Sequence, residues 1–115
     1  MRISETINVL QSKYNLTIPQ LTALSGVTRK TLYEWKRRSV EKVPPKAARL
    51  AAIQTIFELY VLMGADIASI IELLDITVIF AGKPTTIKEL VWLTPKSPIL
   101  PVVAELAYCA NRGTL

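Results

Sequence analysis

The chain has 115 residues, half of them hydrophobic, and it carries a formal net charge of +5. This size and composition suit one domain, or two small helical units that share a core, and they argue against a disordered protein. The sequence has no histidine and one cysteine. Ser-His-Asp catalysis, Cys-His catalysis, a His-ligated metal and an internal disulfide are therefore excluded.

The start of the chain predicts two helices. The first, over about residues 4–14, is indicated by apolar residues that repeat every three or four positions: Ile3, Ile7, Leu10 and Tyr14. Asn15 can adopt the left-handed conformation that ends it. The second helix covers about residues 18–25, because Thr17 and Gln20 form a capping box at its start.

The stretch SGVTRKTLYEWKRR, residues 25–38, predicts a turn and a third helix. Gly26 ends the second helix with a positive φ, and Thr28 caps the third, which continues to the end of the stretch. Leu32 and Trp35 are three residues apart and face inward together. Two helices joined across a glycine turn in this way are typical of a helix-turn-helix.

The opposite side of the third helix is basic, which predicts contact with DNA. In a helix-turn-helix, the N-terminal residues of the second helix of the pair reach base edges in the major groove. Four residues are assigned to base edges or nearby phosphates: Thr28, Arg29, Lys30 and Tyr33. Four more are assigned to backbone phosphates: Lys36, Arg37, Arg38 and, at the start of the preceding helix, Gln20. A merely solvated basic face is the alternative, and base stacking is the alternative to a core role for Trp35.

Charge divides the chain into a basic part and a weakly acidic part. Residues 1–50 contain ten Lys or Arg and three Glu, whereas residues 51–115 contain four Lys or Arg and six acidic residues. The first part is therefore expected to meet a polyanion and the second to meet protein. Three further cations are assigned to solvent, with phosphate contact as the alternative: Lys42, Lys46 and Arg49.

The remaining elements are predicted to be mostly helical, so the expected fold class is all-α, with domains over residues 1–43 and 44–115. A long helix over about residues 45–63 is apolar on nearly every side, which suggests burial against a second copy of the chain. Further helices are predicted over about residues 65–75, from a capping box at Thr86 and Glu89 to about Trp92, and over about residues 98–111, with Gly113 as a stop signal.

The segment 76–80 fits a short strand or an extended turn, and its pattern alone does not decide between them. It is followed by a turn predicted at Gly82 and Pro84. Glu58, Asp66, Glu72 and Asp75 are interpreted as the solvated side of otherwise apolar helices rather than as an active site. We therefore expect no enzyme, no cofactor and no metal.

No stretch of the sequence reaches the ~18 uninterrupted apolar residues that a membrane helix needs. The start, MRISETINVL, lacks the apolar core of a signal peptide. A cytoplasmic location without membrane contact is expected.

From GVTRKTLYEWKRR through VPPKAARLAAIQTIFEL, the sequence resembles the Xre/MbcA/ParS antitoxin family. In that family a helix-turn-helix with a TLY-x-W-like third helix precedes a Pro-led apolar helix. The later segments FAGKPTTIKEL and SPILPVVAELAYCANRG resemble the family's C-terminal toxin-binding region. The likeness covers most of residues 18–113, with LLDITVIFAG in place of the family's Trp-Leu and Asn-Pro-like element.

The resemblance implies a type II antitoxin that forms a homodimer, binds its operator in double-stranded DNA as an autorepressor and neutralises a partner toxin. That toxin would commonly be a RES-domain enzyme that consumes NAD. The toxin-binding residues implied for this chain are Lys83, Lys88, Trp92, Asn111, Arg112 and Gly113. Ordinary turns and a helix end are the alternative for these residues. The alternative function is a stand-alone phage or chromosomal repressor whose second half only dimerises.

Overall fold

The computed structural model describes residues 3–37 and 44–111, and most of these residues are helical. In chain order the elements are α1 (Ile3–Ser12), α2 (Ile18–Ser25), α3 (Arg29–Arg37), α4 (Ala47–Leu62), a 3₁₀ helix (Ile67–Asp75), β1 (Thr77–Phe80), β2 (Lys83–Thr86), α5 (Ile87–Leu93) and α6 (Leu100–Asn111). The expected all-α class is confirmed only in part: the described residues are mostly helical, but β1 and β2 form a two-stranded antiparallel sheet.

The chain divides into two compact units, Met1–Gln54 and Thr55–Leu115, so the dividing point lies within α4. The predicted domains over residues 1–43 and 44–115 stay a prediction. None of the helices in the described ranges is long and apolar enough to cross a bilayer.

The core of the first unit is formed by the three short helices and the start of α4. The predicted inner face of α1 is confirmed, since Ile3, Ile7 and Leu10 are buried and Tyr14 just beyond the helix is buried as well. Both α1 and α2 contact α3. Asn15 has a φ of 57°, the left-handed conformation predicted for it.

Helix α4 is buried within the single chain over most of its circumference. Five of its large apolar residues have no more than 1 % of their surface exposed: Leu50, Ile53, Ile56, Phe57 and Tyr60. The residues of α4 that remain exposed follow one narrow line, Thr55, Glu58 and Leu62. Burial of α4 therefore does not require a second copy of the chain.

The second unit contains a β-hairpin where the sequence pattern was undecided. Thr77 pairs with Thr86 and Phe80 with Lys83, which leaves Ala81 and Gly82 as a two-residue loop. Both loop residues have positive φ, 52° and 80°, as a type I′ hairpin turn requires. The turn was predicted at Gly82 and Pro84, but Pro84 lies within β2. Proline is tolerated there because each strand of a two-stranded sheet is an edge strand.

The helix predicted over residues 65–75 is present as the 3₁₀ helix. Asp66 caps its start, since Asp66 Oδ1 accepts a hydrogen bond from Ala68 N at 3.0 Å. Ile70 and Leu74 are the residues that it buries. In the same unit, the buried rings of Tyr60 and Tyr108 stack with centroids 5.0 Å apart.

Candidate nucleic-acid interface

Helix α2 begins with the capping box that the sequence predicted. Thr17 Oγ1 accepts a hydrogen bond from Gln20 N at 3.3 Å, and Gln20 Oε1 accepts one from Thr17 N at 2.8 Å. Two backbone N–H groups that have no partner inside the helix are satisfied in this way. Because the side-chain oxygen of Gln20 is used in the cap, its NH₂ group is the part that could donate to a phosphate.

The turn after α2 depends on Gly26, which has a φ of 75°. Its N–H donates to the Thr22 carbonyl at 2.8 Å and closes the end of the helix. The neighbouring Ser25 is completely buried, and its hydroxyl donates to the Leu21 carbonyl at 2.7 Å. A side chain at position 26 would strain the backbone, because left-handed φ values are costly for L-residues other than glycine.

Helix α3 is capped by Thr28, as predicted. Thr28 Oγ1 accepts a hydrogen bond from Thr31 N at 3.2 Å and lies 3.1 Å from the Thr31 hydroxyl. Thr28 is exposed, but its hydroxyl oxygen already accepts the capping hydrogen bond from Thr31 N. A contact between this residue and DNA would have to be made without breaking the cap.

The two predicted faces of α3 are separate. Leu32 has none of its surface exposed and Trp35 has 7 %, so both lie in the core. The core assignment of Trp35 is therefore confirmed. A different set of α3 side chains is exposed: Arg29, Lys30, Tyr33 and Arg37.

These four exposed residues, which we call the basic face, line one shallow surface depression. Lys36 is half-buried and lies outside this lining, and Arg38 lies outside the described residues. Within residues 3–37 and 44–111, no carboxylate forms an ion pair with any of the α3 cations. Arg29 and Lys30 also occupy the first helical turn, where the positive end of the helix dipole disfavours cations by a few tenths of a kcal/mol. The basic face thus concentrates positive charge that has no ion-pair partner among the described residues of its own unit.

The cations at the start of α4 have a different environment from the one expected. Arg49 Nη1 donates to the Ser25 carbonyl at 2.9 Å, and Lys46 Nζ donates to the Gly26 carbonyl at 3.4 Å. Both carbonyls lie at the C-terminus of α2, where unpaired oxygens and the negative end of the helix dipole attract cations. Lys46 is exposed, as expected of a solvent charge, whereas the assignment of half-buried Arg49 to solvent is wrong. Lys42 lies outside the described residues.

The residues implied in toxin binding are exposed where they are described. Lys83 lies on β2, and Lys88 and Trp92 lie four residues apart on α5. Lys88 Nζ is 3.9 Å from Asp75 Oδ1, and 41 % of Trp92 is exposed. Asn111 lies at the end of α6, beside an apolar groove between that helix and β1. Arg112 and Gly113 lie outside the described residues.

A second apolar side, formed by α6 and the residue just before it, was not predicted from the sequence. The helix buries Leu100, Ala104, Ala107 and Tyr108. Ile99, Val102 and Leu106 nevertheless have more than half of their surface exposed. Their spacing of three and four residues was visible in the sequence, but it could not be told apart from the spacing of the core residues.

Among the side chains that the structure describes, no three of Cys, Asp and Glu lie together as metal ligands would. No family model, no curated protein and no solved structure matches the chain.

Proposed function

We propose that the chain is a DNA-binding repressor in which α2 and α3 form a helix-turn-helix and α3 enters the major groove. The single observation that carries this proposal is the basic face, where exposed Arg29, Lys30 and Arg37 have no ion-pair partner among the described residues. The inner side of the same helix is fixed in the core by Leu32 and Trp35. A rigid helix that presents unpaired cations is suited to phosphates and to the acceptor atoms of bases.

The residues of α3 are expected to contact different parts of the DNA according to their position along the helix. Arg29, Lys30 and Tyr33 lie nearer its N-terminus and would contact base edges or adjacent phosphates. Lys36 and Arg37 lie in the last turn and would contact the backbone. As a dimer, the protein would bind two half-sites separated by about 34 Å, one turn of DNA.

The test is a salt series of fluorescence-anisotropy titrations against the DNA upstream of the gene. Affinity should fall steeply with salt, with a slope of log K against log salt of about −0.9 for each neutralised phosphate. Replacing Arg29 and Lys30 by Ala should weaken binding at an almost unchanged melting temperature, because both side chains are exposed. Lys96→Ala, which removes an exposed charge from the second unit, is the matched control and should bind normally. Salt-independent binding, or no binding, would refute the proposal.

We further propose that the protein is a type II antitoxin that dimerises, represses its own operon and neutralises a toxin, such as a RES-domain NAD-consuming enzyme. This role is supported by the resemblance to Xre/MbcA/ParS antitoxins and by the apolar surface of the second unit. Large exposed apolar side chains, among them Leu93, Ile99 and Leu106, are typical of surfaces that bind protein. Both roles are binding roles in the cytoplasm, and neither needs catalytic chemistry or a cofactor.

Co-expression with the product of the neighbouring gene tests the antitoxin role. Lys83→Glu combined with Lys88→Glu reverses two exposed charges and should abolish protection from the toxin while leaving DNA binding intact. Lys13→Glu, an exposed charge of the first unit, is the control and should protect normally. If folded variants along residues 82–97 all still protect cells, or if no toxin-sized gene adjoins this one, the stand-alone repressor is the better interpretation.

A further inference from the structure

The C-terminus of α2 is held by side chains that come from the start of α4. Ser25 is the last residue of α2 and is completely buried. Its carbonyl accepts a hydrogen bond from Arg49 Nη1 at 2.9 Å, and the carbonyl of Gly26 accepts a longer one from Lys46 Nζ at 3.4 Å. Carbonyls at a helix end have no partner inside the helix, so a bond from a guanidinium satisfies an oxygen that would otherwise be unpaired in the protein interior.

The charge of Arg49 is unfavourably placed in the helix to which it belongs. It is the third residue of α4, in the first turn, where the helix dipole disfavours a positive charge. Its half-buried side chain instead reaches the negative end of α2. A favourable interaction of the Arg49 guanidinium is therefore with the turn between α2 and α3.

This turn controls the direction of α3. Only Val27 and Thr28 separate Gly26 from Arg29, the first residue of α3 and a member of the basic face. A movement of the Ser25 carbonyl would thus have only three residues to cross before it reached the basic face. We propose that Arg49 is a positioning residue for DNA recognition, which fixes the α2–α3 turn through the Ser25 carbonyl without touching DNA. This inference rests on the proposed DNA-binding function.

The test compares two substitutions that remove the same charge from the same unit. Arg49→Met removes the bond to Ser25, whereas Arg37→Met removes an exposed cation of the basic face. Each full-length variant is titrated against the upstream DNA and against a random-sequence duplex of equal length, over a range of salt concentrations. Circular dichroism sets a temperature at which both variants are folded.

Arg49→Met should weaken binding to the upstream DNA about tenfold, the scale of a lost charge-assisted hydrogen bond. Its affinity for the random duplex should stay within about threefold, and its salt slope should not change, because no phosphate contact is lost. Arg37→Met should weaken binding to both DNAs by the same factor, and it should reduce the magnitude of the salt slope by about 0.9. If Arg49 only stabilised the fold, the folded Arg49→Met variant would show the same relative change in affinity for the upstream DNA and for the random duplex.

Two results would overturn the inference. The first is a reduced salt slope for Arg49→Met, which would mean that Arg49 contacts phosphate. The second is that Arg49→Met binds both DNAs as tightly as the unaltered protein does. If Arg49→Met does not fold, NMR of the arginine side-chain N–H groups in the unaltered chain decides. Adding DNA should shift the Arg37 signals and leave those of Arg49 in place, and a shift of both signals by direct contact refutes the inference. If the unaltered protein binds neither DNA, it is the proposed function that fails.

Discussion

Replacing Tyr60 by Phe should stabilise the protein, although it removes a polar group from an aromatic pair. The Tyr60 ring is completely buried and stacks on Tyr108 with an interplanar angle of 28°. Within the described part of the chain, no donor or acceptor forms a hydrogen bond with its hydroxyl oxygen. Phe keeps the ring and its stacking, which is worth about 0.5–1.5 kcal/mol, and removes only the unpaired group.

The expected gain follows from the cost of the buried hydroxyl. An unsatisfied buried polar group costs about 1–3 kcal/mol, so Tyr60→Phe should raise the free energy of unfolding by about 1 kcal/mol at neutral pH. Tyr33→Phe is the matched control, since that ring is 44 % exposed and its hydroxyl is free to meet water. It should change stability by less than about 0.5 kcal/mol.

The stability that Tyr60→Phe gains over the unaltered protein should be larger at high pH. Burial, and to a smaller extent the neighbouring Tyr108, raises the pKa of Tyr60 well above its ordinary value of 10.0. Above that pH the unfolded chain releases the Tyr60 proton and the folded chain keeps it, so the folded form loses stability as pH rises. At pH 11 this effect lowers the free energy of unfolding by about 1.4 kcal/mol. The Phe variant has no hydroxyl at position 60 and does not lose this stability. Titrating groups that do not interact with Tyr60 are common to both proteins and cancel in the difference.

Urea denaturation followed by circular dichroism measures both effects at 25 °C. The Phe variant should unfold at higher urea than the unaltered protein, with a difference that is larger at pH 11 than at pH 7. A Phe variant that is less stable by about 1 kcal/mol would show that the hydroxyl has a partner. A difference that does not change with pH would show that Tyr60 ionises in the folded protein as easily as in the unfolded one.

Two other predictions concern single positions. Trp35→Ala should unfold the first unit, because truncating a buried aromatic residue costs about 3–5 kcal/mol. Circular dichroism measures this unfolding. A stable variant that loses DNA binding would mean that the ring contacts the ligand. Gly82 has a φ of 80° and open space around the position of a Cβ, so strain rather than a clash limits substitutions there. Gly82→Val should destabilise by about 1–2 kcal/mol in urea melts and Gly82→Asn by less, and equal effects would exclude backbone strain as the cause.

Local signals in the sequence were sufficient for most helix starts and turns. The capping box at Thr17, the cap at Thr28 and the left-handed Gly26 each depend on residues within four positions of one another. The inward pair Leu32 and Trp35 follows from helical spacing in the same way. Interactions of this short range can be predicted from a single sequence.

The hairpin and the Arg49 bond could not be predicted in this way. Strand β2 reads KPTT, with no alternation of apolar and polar residues, and its loop is Ala-Gly rather than the Asn-Gly that signals a type I′ turn. Arg49 and Ser25 are 24 residues apart, and their contact exists only once α2 and the start of α4 are packed. The position of Arg49 in a first helical turn, where a cation is unfavourable, was the one available hint.

The net charge of the first fifty residues does not by itself say which cations contact DNA. Lys46 and Arg49 are bound to carbonyls of the same unit, and Lys13 lies 5.4 Å from the centre of the Tyr14 ring. Net charge determines long-range attraction to a polyanion, but only cations that neutralise phosphates release counterions. The four cations of α3 can account for a salt slope of about −3.6 per chain when each neutralises one phosphate. The distribution of bonds within the unit, rather than the count of basic residues, thus explains why α3 is the candidate interface.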